Sequence, residues 1–200
     1  MKPKKSLGQN FLKDENILFD IAEEGKINND DIVIEIGPGT GNLTKEILNR
    51  NPKKLIVIEK DKQLSDFIEK KFGKNLHVIN NDFLNCYNDF SFESPVKVFG
   101  NLPYNIATKI LISLIKFNNI SKVFRKFVFV FQKEVADRII AEKDDHNYGR
   151  LSILSSWKLE RKKIFDISPK KFYPIPKVWS SLVVLKPKLK CKKINKIKNL

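Results

Sequence analysis

Apolar positions along the chain fall into two kinds of run. Short β-branched or aromatic blocks predict strands at Asp31–Ile36, Leu55–Ile58, Leu76–Ile79, Val96–Phe99 and Phe127–Phe131. Between them, apolar residues recur every three or four positions. Such stretches pass through Ile17, Leu18, Ile21 and Ala22; through Leu43, Ile47 and Leu48; through Leu64, Phe67 and Ile68; along residues 105–117; and through Val135, Ile139 and Ile140. They predict helices, the first with Asp14 as its N-cap. Strands that alternate with helices need crossover connections, so the expected fold is α/β with a mostly parallel sheet covered on both faces. Ser181–Leu185 is a late strand with no helix after it and is expected to pair antiparallel at an edge. There are no internal repeats.

Composition narrows the class. The chain has 200 residues, 42% hydrophobic and 30% charged, which suits a folded domain rather than a disordered one. No apolar run approaches the ~20 residues of a membrane span, and the basic N-terminus lacks the apolar segment of a secretion signal. Cys86 and Cys191 form no framework and are expected to be free thiols in a reducing, cytoplasmic setting. His77 and His146 lie far apart and near no cysteine, so no metal site is expected.

Charge is distributed unevenly. The formal net charge is +15, yet residues 1–150 carry 24 basic and 21 acidic side chains while residues 151–200 carry 14 and 2. Residues 186–200 hold seven lysines and no acid. A polyanion partner fits this asymmetry, nucleic acid before an anionic membrane. A merely solvated lysine tail fits it too.

Two turns carry candidate chemistry. Glu35-Ile36-Gly37-Pro38-Gly39-Thr40-Gly41 joins a strand to a helix, where glycines admit a sharp turn and a close ligand, and the helix beyond offers free amides. The carboxyl end of the first strand of such a sheet is where a nucleotide-like ligand belongs. The dinucleotide fingerprint needs Gly or Ala where Asn42 stands, and no Gly-Lys-Ser/Thr follows, so an NAD enzyme and a P-loop protein fit poorly. An acid before a G-x-G-x-G loop is instead similar to the first motif of S-adenosylmethionine methyltransferases. Glu59 ends the second strand, where a carboxylate accepts from ribose hydroxyls. Asp82 ends the third and is a candidate acceptor for an adenine amino group. Taken alone, the loop also reads as a structural turn.

Asn101-Leu102-Pro103-Tyr104 follows the fourth strand. The exocyclic amine of adenine is a poor nucleophile because its lone pair is delocalised into the ring. Two acceptors holding its hydrogens favour a pyramidal nitrogen; the Asn101 carboxamide oxygen and the Leu102 carbonyl are the candidates. Pro103 stiffens the turn and has no N–H, and Tyr104 offers a ring to the base. An ordinary strand-to-helix turn is the alternative.

Four motifs in order, over about residues 4–186, resemble the ribosomal RNA adenine N6,N6-dimethyltransferases, the kasugamycin-sensitivity enzymes of bacteria, whose relatives include the erythromycin-resistance methyltransferases. They are Lys5–Leu12, Glu35–Gly41, Phe99–Ile106 and Phe172–Ser181; Gln132–Arg138 and Tyr148–Ser152 are similar to the bacterial branch. The resemblance implies a Rossmann-like methyltransferase with a mostly parallel seven-stranded sheet and a late antiparallel edge strand. It implies S-adenosyl-L-methionine held by Asn10, Leu12, Gly37, Gly39, Glu59, Asp82 and Asn101. The reaction would be centred on Asn101, Leu102, Pro103 and Tyr104, with Phe172 packed on the target adenine opposite Tyr104. The implied substrate is a pair of adjacent adenines near the 3′ end of small-subunit ribosomal RNA, in an assembling subunit. Action on large-subunit RNA and a non-catalytic assembly role are the competing readings. The expected division is a catalytic domain at 1–185 and a basic tail at 186–200, the start of the small helical RNA-binding module with which this family usually continues. The chain is expected to be a monomer without membrane contact.

Overall fold

The computed structural model describes residues 3–4, 7–87 and 92–189. Strand β1 (Phe11–Leu12) is followed by α1 (Glu15–Glu24), β2 (Ile32–Ile36), α2 (Asn42–Leu48), β3 (Lys54–Ile58), α3 (Lys62–Phe72) and β4 (His77–Ile79). A short α4 (Phe83–Cys86) precedes β5 (Val96–Asn101), α5 (Ala107–Lys116), α6 (Ile120–Val123), β6 (Phe124–Gln132) and α7 (Lys133–Ile140). The chain then forms α8 (Arg150–Lys158), β7 (Leu159–Ile167), β8 (Phe172–Tyr173) and β9 (Ser180–Pro187). Asp14 caps α1 as expected, its side chain accepting from the Ile17 amide.

Seven strands form one sheet in the order β4-β3-β2-β5-β6-β9-β7. The first five are parallel, and β9 runs antiparallel to both β6 and β7. The late strand is therefore antiparallel, one place in from the rim. The rim is β7, which pattern reading passes over because Glu160, Arg161, Lys162 and Lys163 give it a polar face. The anticipated domain boundary at 185 falls inside β9; Lys188 still donates its amide to the Lys158 carbonyl at 2.8 Å. Most of the lysine tail and Cys191 lie outside the described residues, while Cys86 is buried.

Strand alternation builds two cores. Ile32, Ile34, Ile36, Val96, Val98, Phe127, Phe129 and Phe131 point to one face, under α5 and α7. Phe117, Phe124, Phe127, Phe129 and Phe131 follow one another along it with neighbouring ring centres 5.2–5.9 Å apart, mostly tilted or edge to face. Val33, Leu55, Val57, Phe99, Val128 and Val184 face the other way, under α1, α2 and α3. Glu35 shares the parity of Val33, so its carboxyl is driven into this second core. At the other end of the strands Lys97 is buried against Asp31, 2.6 Å away. No helix among the described residues is long and apolar enough to cross a membrane.

Candidate active site

The turns after β2 and β5 leave the sheet side by side, because those strands are neighbours with Glu35 level with Phe99. One cavity opens between them. Its wall includes Gly8–Leu12, Glu35, Gly37–Thr40, Asn42, Glu59, Lys60 and Asn101–Ile106. Asn10, Leu12, Gly37, Gly39, Glu59, Asn101, Leu102, Pro103 and Tyr104, all singled out from sequence, are thus brought to one place.

The glycine loop is shaped for close approach. Gly37 and Gly39 have φ of +68° and +57°, a region side chains with a Cβ avoid. A Cβ on Gly39 would stand 2.8 Å from the Phe11 ring, whereas one on Gly37 would meet only Pro103 Cδ, at 3.8 Å. The two turns therefore come close at Gly37 and Pro103, with about a methyl group's room between them. Asn42, the residue that breaks the dinucleotide fingerprint, uses its side chain to donate to the Leu12 carbonyl at 2.8 Å, tying β1 over the loop.

Glu59 is buried and accepts from the Gly39 amide at 3.2 Å and the Asp61 amide at 2.9 Å. Burial pushes its pKa up against those two bonds. Its oxygens keep lone pairs for further donors. Glu35 is fully enclosed, 1% exposed, and accepts from Thr44 Oγ1 at 2.6 Å. Burial, reinforced by the charge of Glu59, pushes it up to about 8. The cavity thus pairs two buried carboxyl groups with apolar walls from Leu12, Leu18, Leu43, Leu64 and Leu102. A cationic ligand that carries hydroxyls and an aromatic ring fits this donor set.

Asn101 Nδ2 donates to the Asn10 carbonyl at 2.8 Å, so the amide is oriented and its Oδ1 is left to accept. The Tyr104 hydroxyl lies 2.6 Å from Ser180 Oγ. Burial raises the pKa of this phenol, so it stays protonated at neutral pH.

Two residues are not where sequence reading put them. Asp82 caps α4 through the Leu84 amide and pairs with Lys60 Nζ at 2.9 Å; it is not part of the cavity wall. Burial opposes ionisation there, but the Lys60 ammonium outweighs it and holds the carboxyl below its usual range. Phe172 is 1% exposed: β8 pairs with β1, Leu12 against Phe172, and its ring packs in the second core, outside the cavity wall.

Other residues enter that sequence reading did not assign. Lys4 Nζ reaches Asp61 at 2.9 Å and Gln9 Nε2 reaches it at 3.2 Å, clasping the N-terminal segment to the end of β3. Burial would raise Asp61, but these two donors outweigh it and hold it low. The only local signal was an acid two places after Glu59. Glu35 was visible as a motif letter, yet nothing in the sequence marks it as a neutral, buried carboxyl.

A Rossmann-like sheet with a glycine turn, an acid after the next strand and an Asn-Leu-Pro-Tyr turn in one cavity defines an S-adenosylmethionine-dependent methyltransferase. The ribosomal RNA adenine dimethylase family profile matches residues 1–199, and the chain belongs to that family. It is 50% identical over 200 residues to the ribosomal RNA small subunit methyltransferase A of Pelagibacter ubique, covering all of this chain and 76% of that protein. The Wolbachia enzyme of the same name, from the Brugia malayi symbiont, is 46% identical, with 94% of this chain and 72% of that protein covered. Among solved structures, a dimethyladenosine transferase from Plasmodium falciparum superimposes with a TM-score of 0.78 at 35% identity, over 89% of this chain and 63% of that one. The chain thus spans somewhat under two thirds of that relative. The 23S rRNA methyltransferase ErmE gives 0.79 at 26%, over 90% and 71%.

Proposed function

We propose that this protein transfers methyl groups from S-adenosylmethionine to N6 of two adjacent adenines near the 3′ end of small-subunit ribosomal RNA. The single observation behind this reading is the cavity shared by the Gly37–Gly39 turn and the Asn101–Tyr104 turn. It is the arrangement needed to place a nucleophile in line with a leaving group, and positioning dominates such a displacement.

The donor supplies an electrophilic methyl on a sulfonium. Glu59 holds the ribose hydroxyls, Asn10, Leu12, Gly37 and Gly39 frame the rest, and Glu35, protonated in the free protein, gives up its proton to face the cationic end. Asn101 Oδ1 and the Leu102 carbonyl accept the two amine hydrogens and pyramidalise N6, while Tyr104 stacks on the base with its hydroxyl anchored to Ser180. The proton leaves after the nitrogen becomes cationic, so no strong base is needed. Asp82 lies outside the cavity wall and reaches it only by its ion pair with Lys60.

The protein acts as a monomer in the cytoplasm on the assembling small subunit. Residues through the end of β9 at Pro187 carry the chemistry, and the basic stretch beyond it strengthens RNA contact. The test is incubation of the full chain with labelled S-adenosylmethionine and undermethylated small subunits, beside naked large-subunit RNA. N6,N6-dimethyladenosine in small-subunit RNA alone is expected. Label only in large-subunit RNA, or none from a protein that binds the donor, overturns the proposal.

A further inference from the structure

Beside the cavity the chain exposes an apolar rim that the fold itself does not use. Tyr173, the last residue of β8, and Ile175, Val178 and Trp179 in the connection to β9 are 52%, 67%, 43% and 51% exposed. Both ends of this connection are fastened to the cavity wall. Tyr173 pairs with Phe11, which lines the cavity, and Trp179 precedes Ser180, the partner of the Tyr104 hydroxyl. The Trp179 carbonyl is also held by the Lys133 amide at 2.9 Å. Pro174 and Pro176 fix their own φ angles and stiffen the span. The rim is therefore a stiffened surface joined at both ends to residues of the cavity wall.

Several lysines adjoin it, and Asp14 beside Lys13 is already neutralised by its ion pair with Lys171. Lys13 Nζ sits 5.0 Å from the centre of the Tyr173 ring. Lys170 and Lys177 are exposed nearby in sequence, and no acidic residue follows Asp166 anywhere in the chain. Aromatic faces interleaved with ammonium groups match an unpaired nucleic-acid strand, since every base offers a π-face and every linkage a negative charge. A second copy of this chain, itself at +15, is a poor occupant for the same reason.

We propose that this rim grips the unpaired nucleotides next to the target adenine, with Tyr173 and Trp179 as stacking platforms and Lys13 and Lys177 on the adjoining phosphates. It rests on the proposed RNA adenine substrate and extends it to the neighbouring nucleotides.

The test uses the full chain and an unpaired oligoribonucleotide with 2-aminopurine beside an adenine. Binding is read by anisotropy, stacking by 2-aminopurine quenching, and donor affinity by calorimetry. Trp179→Ala and Tyr173→Ala should each weaken RNA binding about tenfold and relieve quenching. Trp179→Phe should restore both, and donor affinity should stay within about twofold of the wild type throughout. Lys13→Ala with Lys177→Ala should flatten the salt dependence by roughly one unit of slope. If both alanine variants bind and quench like the wild type with donor affinity intact, the proposal is overturned. It is also overturned if Trp179→Ala changes the oligomeric state, since the rim then covers another copy. If wild-type protein binds and quenches this RNA but methylates no ribosomal substrate, the rim stands and the functional proposal fails alone.

Discussion

Replacing Glu35 by Gln isolates the electrostatic cost of the donor cavity. In the folded protein this carboxyl titrates at about 8, against an ordinary value of 4.5, because it is enclosed and faces Glu59. Between those two pH values the folded state keeps a proton that the unfolded chain has lost. Stability from this group is complete below 4.5 and is lost as pH rises toward 8. From pH 5 to pH 7 the loss is two pH units at 1.36 kcal/mol each, about 3 kcal/mol. Gln has the same shape and can accept the Thr44 hydroxyl bond through its amide oxygen, but it carries no proton to lose. The variant should therefore gain on the wild type by about 3 kcal/mol across that range, or roughly 6–12 °C in Tm for a chain of this size. Thermal and urea unfolding of both proteins without ligand, at matched pH, measure the gap and cancel every other titrating group. Parallel stability curves would refute the reasoning, because they require Glu35 to ionise as it does in water. The same linkage predicts that binding the cationic donor releases a proton near pH 7. Calorimetry in buffers of different ionisation enthalpy reads that proton, and it should vanish in the Gln variant.

Asn101→Ala should cut methyl transfer by roughly a hundredfold to a thousandfold, since it deletes an oriented polar group at the reacting nitrogen. Donor affinity should change by no more than about threefold, and near-normal turnover would contradict the assigned role. Asn42→Ala removes the 2.8 Å bond to the Leu12 carbonyl that ties β1 over the glycine loop. One such bond is worth about 1 kcal/mol, so donor binding should weaken about fivefold in calorimetry; unchanged affinity would show that the tie does not shape the cavity. Asp31→Ala leaves the Lys97 ammonium, 5% exposed, without its carboxylate. Urea unfolding should show a loss of about 3–5 kcal/mol, and a loss under 1 kcal/mol would mean that the pair is not holding that end of the sheet.

Hydrophobic periodicity and turn chemistry are local properties, and they were legible in the chain. The strand–helix alternation, the Asp14 cap, the glycine turn after Ile36 and the Asn-Leu-Pro-Tyr turn after β5 each follow from neighbouring residues. The family motifs added Asn10 and Leu12, which no local rule would select. β7 was hidden because its basic outer face masks the strand period, and the place of β9 inside the sheet depends on that hidden partner.

The sequence by itself determined which residues turn, which alternate and which chemistries are present, because those follow from backbone preference and side-chain type. Only the tertiary structure decided which of them meet. Adjacency of β2 and β5 put Gly37 against Pro103; strand parity buried Glu35 and raised its pKa; and the pairing of β8 with β1 turned Phe172 inward and left Tyr173 in solvent. Contacts between residues distant in sequence are set by sheet order and register, and one register step exchanges the buried face for the open one.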